Sequence, residues 1–258
     1  MIGGVVVHPQ ASAFDNVATE YEQGRPGYPR SLLDWVMERG ALAPGSTVVD
    51  LAAGTGKLTR LLVESGARVI GVEPLAAMRE EFRRILPDVE ILDAAAESIP
   101  LPDGCADVLT CGMAIHWFAN TVALAEIARV LRDGGEFVIA MNGHDKTNPV
   151  QRRISEIRRI AEAEGGEVTP GGDWRSVVLA DPHFELIGQV TLANHHVIDR
   201  AGLLGRVRSS SPVARLPEAR RAELLAGLDE LVEGDSVDLT PITEVVALRK
   251  VAAAPAPG

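Results

Sequence analysis

Between Thr47 and Ala140 short apolar runs alternate with segments whose apolar residues recur at helical spacing. The runs are Thr47–Leu51, Arg68–Val72, Val89–Asp93, Asp107–Cys111 and Glu136–Ala140, each of a length that suits a buried strand. Between them, Leu58, Leu61 and Leu62 form one apolar stripe, and Leu124, Ile127, Ala128 and Leu131 form another. Spacing of i, i+3 and i+4 gives a helix one greasy face to lay on a sheet. Strand and helix in alternation, joined by right-handed crossovers, predict a doubly wound α/β fold with a parallel sheet. Phe184–Val190 reads as a sixth strand and Thr243–Val251 as a seventh.

Outside that alternation the pattern changes. Pro29–Met37 reads as a helix on the sheet, and Phe14–Tyr28, rich in aromatics, Gly and Pro, as a lid or arm. Pro149–Ala163 has a helical pattern with an Arg-rich outer face, broken by Gly165, Gly166, Pro170, Gly171 and Gly172. Arg200–Gly205 and Pro217–Glu233 are helical by pattern and are placed as a cap over the strand ends. The expected organisation is a lid over 1–30, a core over 31–145 and a helical insertion over 146–183. The rest of the core follows over 184–251, with cap helices in 200–235, and then a disordered tail over 252–258.

The 258 residues carry 25 Lys and Arg against 36 Asp and Glu, a net charge of −11, and 46% are hydrophobic. That apolar fraction excludes a disordered chain, and the acidity argues against a nucleic-acid partner, which needs clustered positive charge. The two cysteines, Cys105 and Cys111, flank a buried strand and read as core thiols of a reducing compartment. The start of the chain lacks the charged region of a signal peptide, and the uncharged stretch Val108–Ala125 is interrupted by Thr110, Gly112, His116, Asn120 and Thr121. A cytoplasmic protein, monomeric or homodimeric and without a membrane partner, is the expectation.

The strongest chemical signal is Val48-Val49-Asp50-Leu51-Ala52-Ala53-Gly54-Thr55-Gly56-Lys57-Leu58-Thr59, where a strand enters a glycine turn and then a helix. Such a turn lets a ligand approach the backbone closely. A phosphate-binding P-loop needs Ser or Thr after its Gly-Lys pair and an earlier glycine, where this chain has Leu58 and Leu51. A dinucleotide fingerprint needs a third glycine where this chain has Thr59. The second strand ends in Gly71-Val72-Glu73-Pro74, which places a carboxylate where it can accept from both hydroxyls of a ribose.

With these residues the chain resembles the class I S-adenosylmethionine (SAM)-dependent methyltransferases over roughly Phe14 to Ala140. Asp50–Gly56 is similar to that family's first motif, Val72-Glu73-Pro74 to the acidic end of its second strand, and Ala94–Pro100 to its adenine loop. Leu131–Val138 is similar to the turn before its fifth strand. Phe14, Asp15, Ala18, Tyr21, Arg25, Pro26, Tyr28 and Pro29, together with Ala114–Phe118, resemble the small-molecule branch that includes trans-aconitate methyltransferases. The resemblance implies a Rossmann-like sheet of seven strands, mostly parallel with the last antiparallel. It places Asp50, Gly54 and Gly56 at the methionine end of SAM, Glu73 at the ribose, and Met78 and Ala96 at the adenine, and it counts Ala52, Pro74, Glu97 and Ala114 among the cofactor-binding residues. Tyr21 and Arg25 would close over the cofactor carboxylate. Two positions depart from the family: Ala52 replaces the first glycine and is expected to keep an ordinary turn conformation, and Ala95 replaces a polar adenine contact.

His116 and Trp117 follow the fourth strand, where open α/β sheets hold their ligands. The histidine is either a proton acceptor for an attacking hydroxyl or an orienting group in the pocket wall. Arg206 and Arg208 are the candidates to meet an anionic substrate under the cap. His195 and His196 point to different sides of any regular element and adjoin no Cys or carboxylate cluster, so no metal is expected. The implied reaction is methyl transfer from SAM to a small molecule, at a carboxylate or hydroxyl oxygen, releasing S-adenosylhomocysteine. The competing readings are a non-catalytic module on the same fold and an RNA methyltransferase.

Overall fold

The computed structural model describes residues 26–143, 145, 147–165, 173–208, 210–239 and 242–251. The chain runs through α1 (Arg30–Glu38), β1 (Thr47–Leu51), α2 (Lys57–Val63), β2 (Arg68–Val72), α3 (Ala76–Ile85) and β3 (Glu90–Leu92). It continues through β4 (Ala106–Gly112), a 3-10 turn (Ile115–Trp117), α4 (Thr121–Val130) and β5 (Leu131–Gly143). Then come α5 (Pro149–Gly165), α6 (Trp174–Leu179), β6 (Phe184–Ala193), β7 (His196–Asp199), α7 (Arg200–Arg208), α8 (Ser211–Ala214), α9 (Glu218–Asp229), β8 (Ser236–Leu239) and β9 (Ile242–Lys250).

Seven strands form one sheet in the order β3-β2-β1-β4-β5-β9-β6, with β9 antiparallel to both of its neighbours and β1 to β5 parallel. This is the expected doubly wound, mostly parallel sheet with its last strand reversed. Alternation along each strand divides the core in two. Val49, Leu51, Leu109, Phe137 and Ile139 face α4, while Val48, Val108, Val138 and Ala140 face α1 and α2 through Leu33, Val36, Leu58 and Leu62.

A third apolar cluster stands apart from the sheet. It joins Ile154 and Ile157 of α5 to Leu203 and Val207 of α7 and to Leu224 and Leu228 of α9. The cap is therefore built from α5 as well as from the later helices, whereas α6 packs on the sheet through Val178 and Trp174. The cap also contains a two-stranded ribbon, β7 with β8, that the hydrophobic pattern did not predict. Its strands have four residues each and mixed burial, too short for a period to emerge. Residues 1–25, most of the expected lid, and the tail over 252–258 lie outside the described residues.

Candidate functional site

At the end of β1 the chain turns through three residues with positive φ: Ala52 at 53°, Gly54 at 58° and Gly56 at 88°. The turn is pinned by Ala53 N–H donating to the Val72 carbonyl at 3.1 Å and Gly56 N–H to the Ala53 carbonyl at 2.9 Å. The conformation of Ala52 corrects the expectation of an ordinary turn residue. It occupies the left-handed region that glycine visits freely and an L-residue enters at a cost of roughly 1–2 kcal/mol. A second non-glycine residue there, Met113 at 58°, stands just past the end of β4. Its thioether accepts from the Asn142 backbone N–H at 2.9 Å.

Two buried carboxylates lie against this turn. Asp50 is 1% exposed, and its two oxygens accept from the hydroxyls of Thr59 (2.6 Å) and Thr110 (2.8 Å). Burial still raises it to about 6. Glu73 is 4% exposed and accepts from the Gly54 N–H at 3.0 Å and the Leu75 N–H at 2.9 Å. Burial, only partly offset by these bonds and by Arg79, pushes it up to about 7. Arg79 donates to the Glu73 carbonyl (2.8 Å) and to Asp93 at the end of β3 (2.6 Å), tying the ends of β2 and β3 together.

A cleft of about 960 Å³, its open mouth included, runs from this turn to the cap. Asp50, Ala52 and Gly54 line one side, Met113 and Asn142 the ends of β4 and β5, and Ile154, Arg158 and Arg206 the cap side. The structure thus brings Asp50, Ala52, Gly54 and Arg206, all expected site residues, to one surface. Gly56 and Glu73 lie immediately beneath it. Pro74 is half-buried beside Glu73, and Met78, Ala96 and Ala114 are buried in the packing beside β2 and β4. Glu97 is half-buried and accepts from the Asn120 amide at 3.1 Å. Tyr21 and Arg25 lie outside the described residues.

His116 and Trp117, expected at the substrate, occupy the 3-10 turn with ring centroids 4.8 Å apart, and neither is among the residues that line the cleft. Burial, and secondarily the charge of Arg158, depress His116 to about 4, so its imidazole is neutral at physiological pH. Arg208 is exposed on α7 and is not among the residues lining the cleft, unlike Arg206 two residues earlier. Half a turn of helix separates their directions. Arg158 and Lys57 line the cleft but were not anticipated as site residues. Arg158 lies one turn past Ile154, beside the buried stripe of Val150, Ile154, Ile157 and Ala161, so this arginine departs from the expected outer face. Among the described residues no group of three or more His, Cys, Asp or Glu side chains could hold a metal ion, and no helix is long and apolar enough to cross a membrane.

A family described as the methyltransferase domain matches residues 49–139, from β1 into β5. An uncharacterized methyltransferase of Mycobacterium tuberculosis is 37% identical over 170 residues, 66% of this chain and 65% of that protein. The chain thus spans slightly less than two thirds of that relative. A candidate methyltransferase of Dictyostelium discoideum is 32% identical over 221 residues, covering 84% of this chain and 83% of its own. The chain belongs to the class I SAM-dependent methyltransferases. Among solved structures, a candidate type II methyltransferase from Anaeromyxobacter dehalogenans superposes with a TM-score of 0.70 at 25% identity, over 89% of this chain and 99% of that one.

The residues at the turn fit the group the family implies. A Cβ built on Gly54 meets nothing within 4 Å, so space for a ligand lies directly over the backbone. Each Glu73 oxygen spends one acceptor site on a backbone N–H, and a carboxylate oxygen has two.

Proposed function

We propose that the chain transfers a methyl group from SAM to a small-molecule acceptor bound between the glycine turn and the cap. The observation that carries this reading is the continuity of the cleft. One surface joins the motif around Asp50 and Gly54 to the cap side chains Arg158 and Arg206. Open α/β sheets bind ligands where strand order reverses, and here that point lies between β1 and β4.

SAM supplies an electrophilic methyl group carried on a sulfonium. When bound, that methyl carbon would be open to the acceptor's lone pair, with the carbon–sulfur electron pair leaving on sulfur as S-adenosylhomocysteine. In this reading Asp50 opposes the positive charge of the methionine end. Glu73, beside Pro74, accepts from the ribose hydroxyls, and Met78, Ala96, Glu97 and Ala114 surround the adenine. Tyr21 and Arg25, outside the described residues, are the candidates to hold the carboxylate end. Holding the two reactants in line supplies much of the rate, because the entropy of encounter is lost on binding rather than in the transition state.

The acceptor atom in this reading is a carboxylate or hydroxyl oxygen. A carboxylate attacks as it stands, whereas a hydroxyl must release a proton. His116 is neutral and able to accept a hydrogen bond, but burial makes it a weak base. In this reading it orients the acceptor with Trp117, at the edge of a cleft that neither side chain lines, and does not take its proton.

The test is calorimetric titration of the full chain with SAM, S-adenosylhomocysteine and NADH, followed by a screen of carboxylates and phenols with methyl-labelled SAM. Binding of the first two ligands alone, with label reaching a small molecule, is the expected result. Failure of both to bind would replace the enzyme by a non-catalytic module on the same fold.

A further inference from the structure

The β7–β8 ribbon carries a side chain that methyl transfer does not use. His196 is half-buried, and its Nε2 is buried without a hydrogen-bond partner among the described residues. Leaving such a nitrogen unsatisfied is costly, and native proteins seldom do so without a reason. His196 lies within electrostatic reach of Arg206 on α7 and Lys57 at the start of α2, two cations that also line the cleft. Burial, then Arg206 and Lys57, hold its imidazole below the usual histidine range, with Asp238 pulling the other way.

The charge around this seam is lopsided. Lys57, Arg158 and Arg206 line the cleft, and among the described residues Asp50 is the one carboxylate that does. Both Asp50 oxygens are engaged by threonine hydroxyls on the core side. Three of the four charged side chains that line the cleft among the described residues are therefore cationic, on a chain whose net charge is −11.

We propose that Lys57 and Arg206, with His196 beside them, form an oxyanion subsite at the seam between sheet and cap, which anchors a carboxylate or phosphate group of the methyl acceptor. This inference rests on the methyl-transfer reading. The anchored group is not the one that is methylated. An oxyanion whose lone pairs are taken by ammonium and guanidinium donors is a poor nucleophile, so the acceptor carries a second nucleophilic atom nearer the turn. Lys57 belongs to the core and Arg206 to the cap, so the anchored group also ties the two together.

His196 reports on the subsite without needing to touch the ligand, because an anion that neutralises its cationic neighbours raises its basicity, although burial, the larger cause, still holds it below the usual range. The full chain, with histidine rings labelled for NMR and saturated with S-adenosylhomocysteine, is titrated with inorganic phosphate and, separately, with succinate. The His196 signal is assigned by its loss in His196→Gln. A saturable shift of that signal with a raised pKa is expected, and the anion that acts at lower concentration identifies the acceptor as a phosphate ester or a carboxylic acid. Lys57→Gln and Arg206→Gln should each weaken that anion roughly tenfold while leaving S-adenosylhomocysteine affinity within about twofold. No saturable response to either anion overturns the proposal. So does loss of S-adenosylhomocysteine affinity in step with loss of anion affinity, which would assign the cations to the cofactor's own carboxylate. If a variant fails to fold, the wild-type titration still decides. The titration is repeated without S-adenosylhomocysteine, so a chain that binds anions but not the nucleoside sinks the methyl-transfer reading and not the subsite.

Discussion

Replacing Ala52 by glycine should stabilise the ligand-free protein. Ala52 sits at φ 53°, where an L-residue bears roughly 1–2 kcal/mol of backbone strain. Glycine removes that strain but adds conformational freedom to the unfolded chain, which costs about 0.4–1 kcal/mol. The balance favours Ala52→Gly by about 0.5–1 kcal/mol, or an increase in melting temperature of roughly 1–4 °C for a chain of this size. The same turn provides its own controls. Gly54 has a similar φ of 58° and nothing within 4 Å of a built Cβ, so Gly54→Ala should lose only about 1 kcal/mol of backbone preference. At Gly56, φ is 88° and a Cβ would stand 2.7 Å from Leu86 Cδ1 and 3.1 Å from Phe82 Cδ2. Gly56→Ala therefore adds overpacking and should cost about 2–4 kcal/mol. Urea unfolding of the three variants, with slopes compared to confirm that only stability changes, checks the order. A lower midpoint for Ala52→Gly than for wild type, or equal losses at Gly54 and Gly56, would refute the reasoning.

Three further outcomes follow from the site. Glu73 is raised from 4.5 to about 7, so between those values the native state holds a proton that the unfolded chain has released; stability falls as pH rises through that window. Urea midpoints measured from pH 4 to 8 should show this decline, to which Asp50, raised to about 6, adds below pH 6, and Glu73→Gln should flatten the part between pH 6 and 7; an unchanged slope there in the variant would mean that the Glu73 carboxyl titrates normally. His116→Ala should raise the acceptor KM and lower kcat by less than about tenfold, whereas a loss of kcat on the order of 10²–10⁴ would make His116 a general base. Arg158→Met should raise the His116 pKa, read by NMR, without restoring the usual value, because burial is the larger cause; no movement would mean that the two charges do not interact.

How much of this was legible in the sequence depends on how far each residue's role is local. β1, β2, β4, β5 and β9 could be read because each buries a run of apolar residues, while the edge strands β3 and β6 bury little and were read from β-branched and apolar composition, and β1 to β5 alternate with helices that show their own period. Asp50, Gly54 and Glu73 could be placed because strand, turn and helix follow one another without a gap, so chain order fixes their spatial order. The strain at Ala52 was missed because an alanine in sequence carries no mark of its φ; the bonds from Ala53 to Val72 and from Gly56 to Ala53 impose it. Arg158 was missed for a tertiary reason. Seen along its own helix it belongs to a polar face, and only the packing of α5 against α7 and α9 turns the edge of that face into the cleft. His196 escaped for the same reason, since the ribbon that sets it beside Arg206 and Lys57 exists only by pairing with β8, some forty residues further on.

The two non-glycine residues of positive φ among the described residues lie together. Ala52 follows β1 and Met113 follows β4, and these neighbouring strands are the pair at which the order of the sheet reverses. At such a point successive connections leave toward opposite sides, so the strand ends stand open without any loop crossing between them. Positive φ at both ends turns the backbone sharply there, and the buried carboxylates of Asp50 and Glu73 lie at the ends of β1 and β2 beside the same opening. Each carboxylate is desolvated, and its hydrogen bonds to Thr59, Thr110, Gly54 and Leu75 offset that only in part, since both are raised well above the usual range. A fold assembled for stability alone would have placed glycine at 52 and an apolar or neutral side chain at 73. The strain and the unmet carboxylate charge are instead concentrated where a ligand with a positive centre and paired hydroxyls would relieve them, as expected for a site whose energy is recovered on binding.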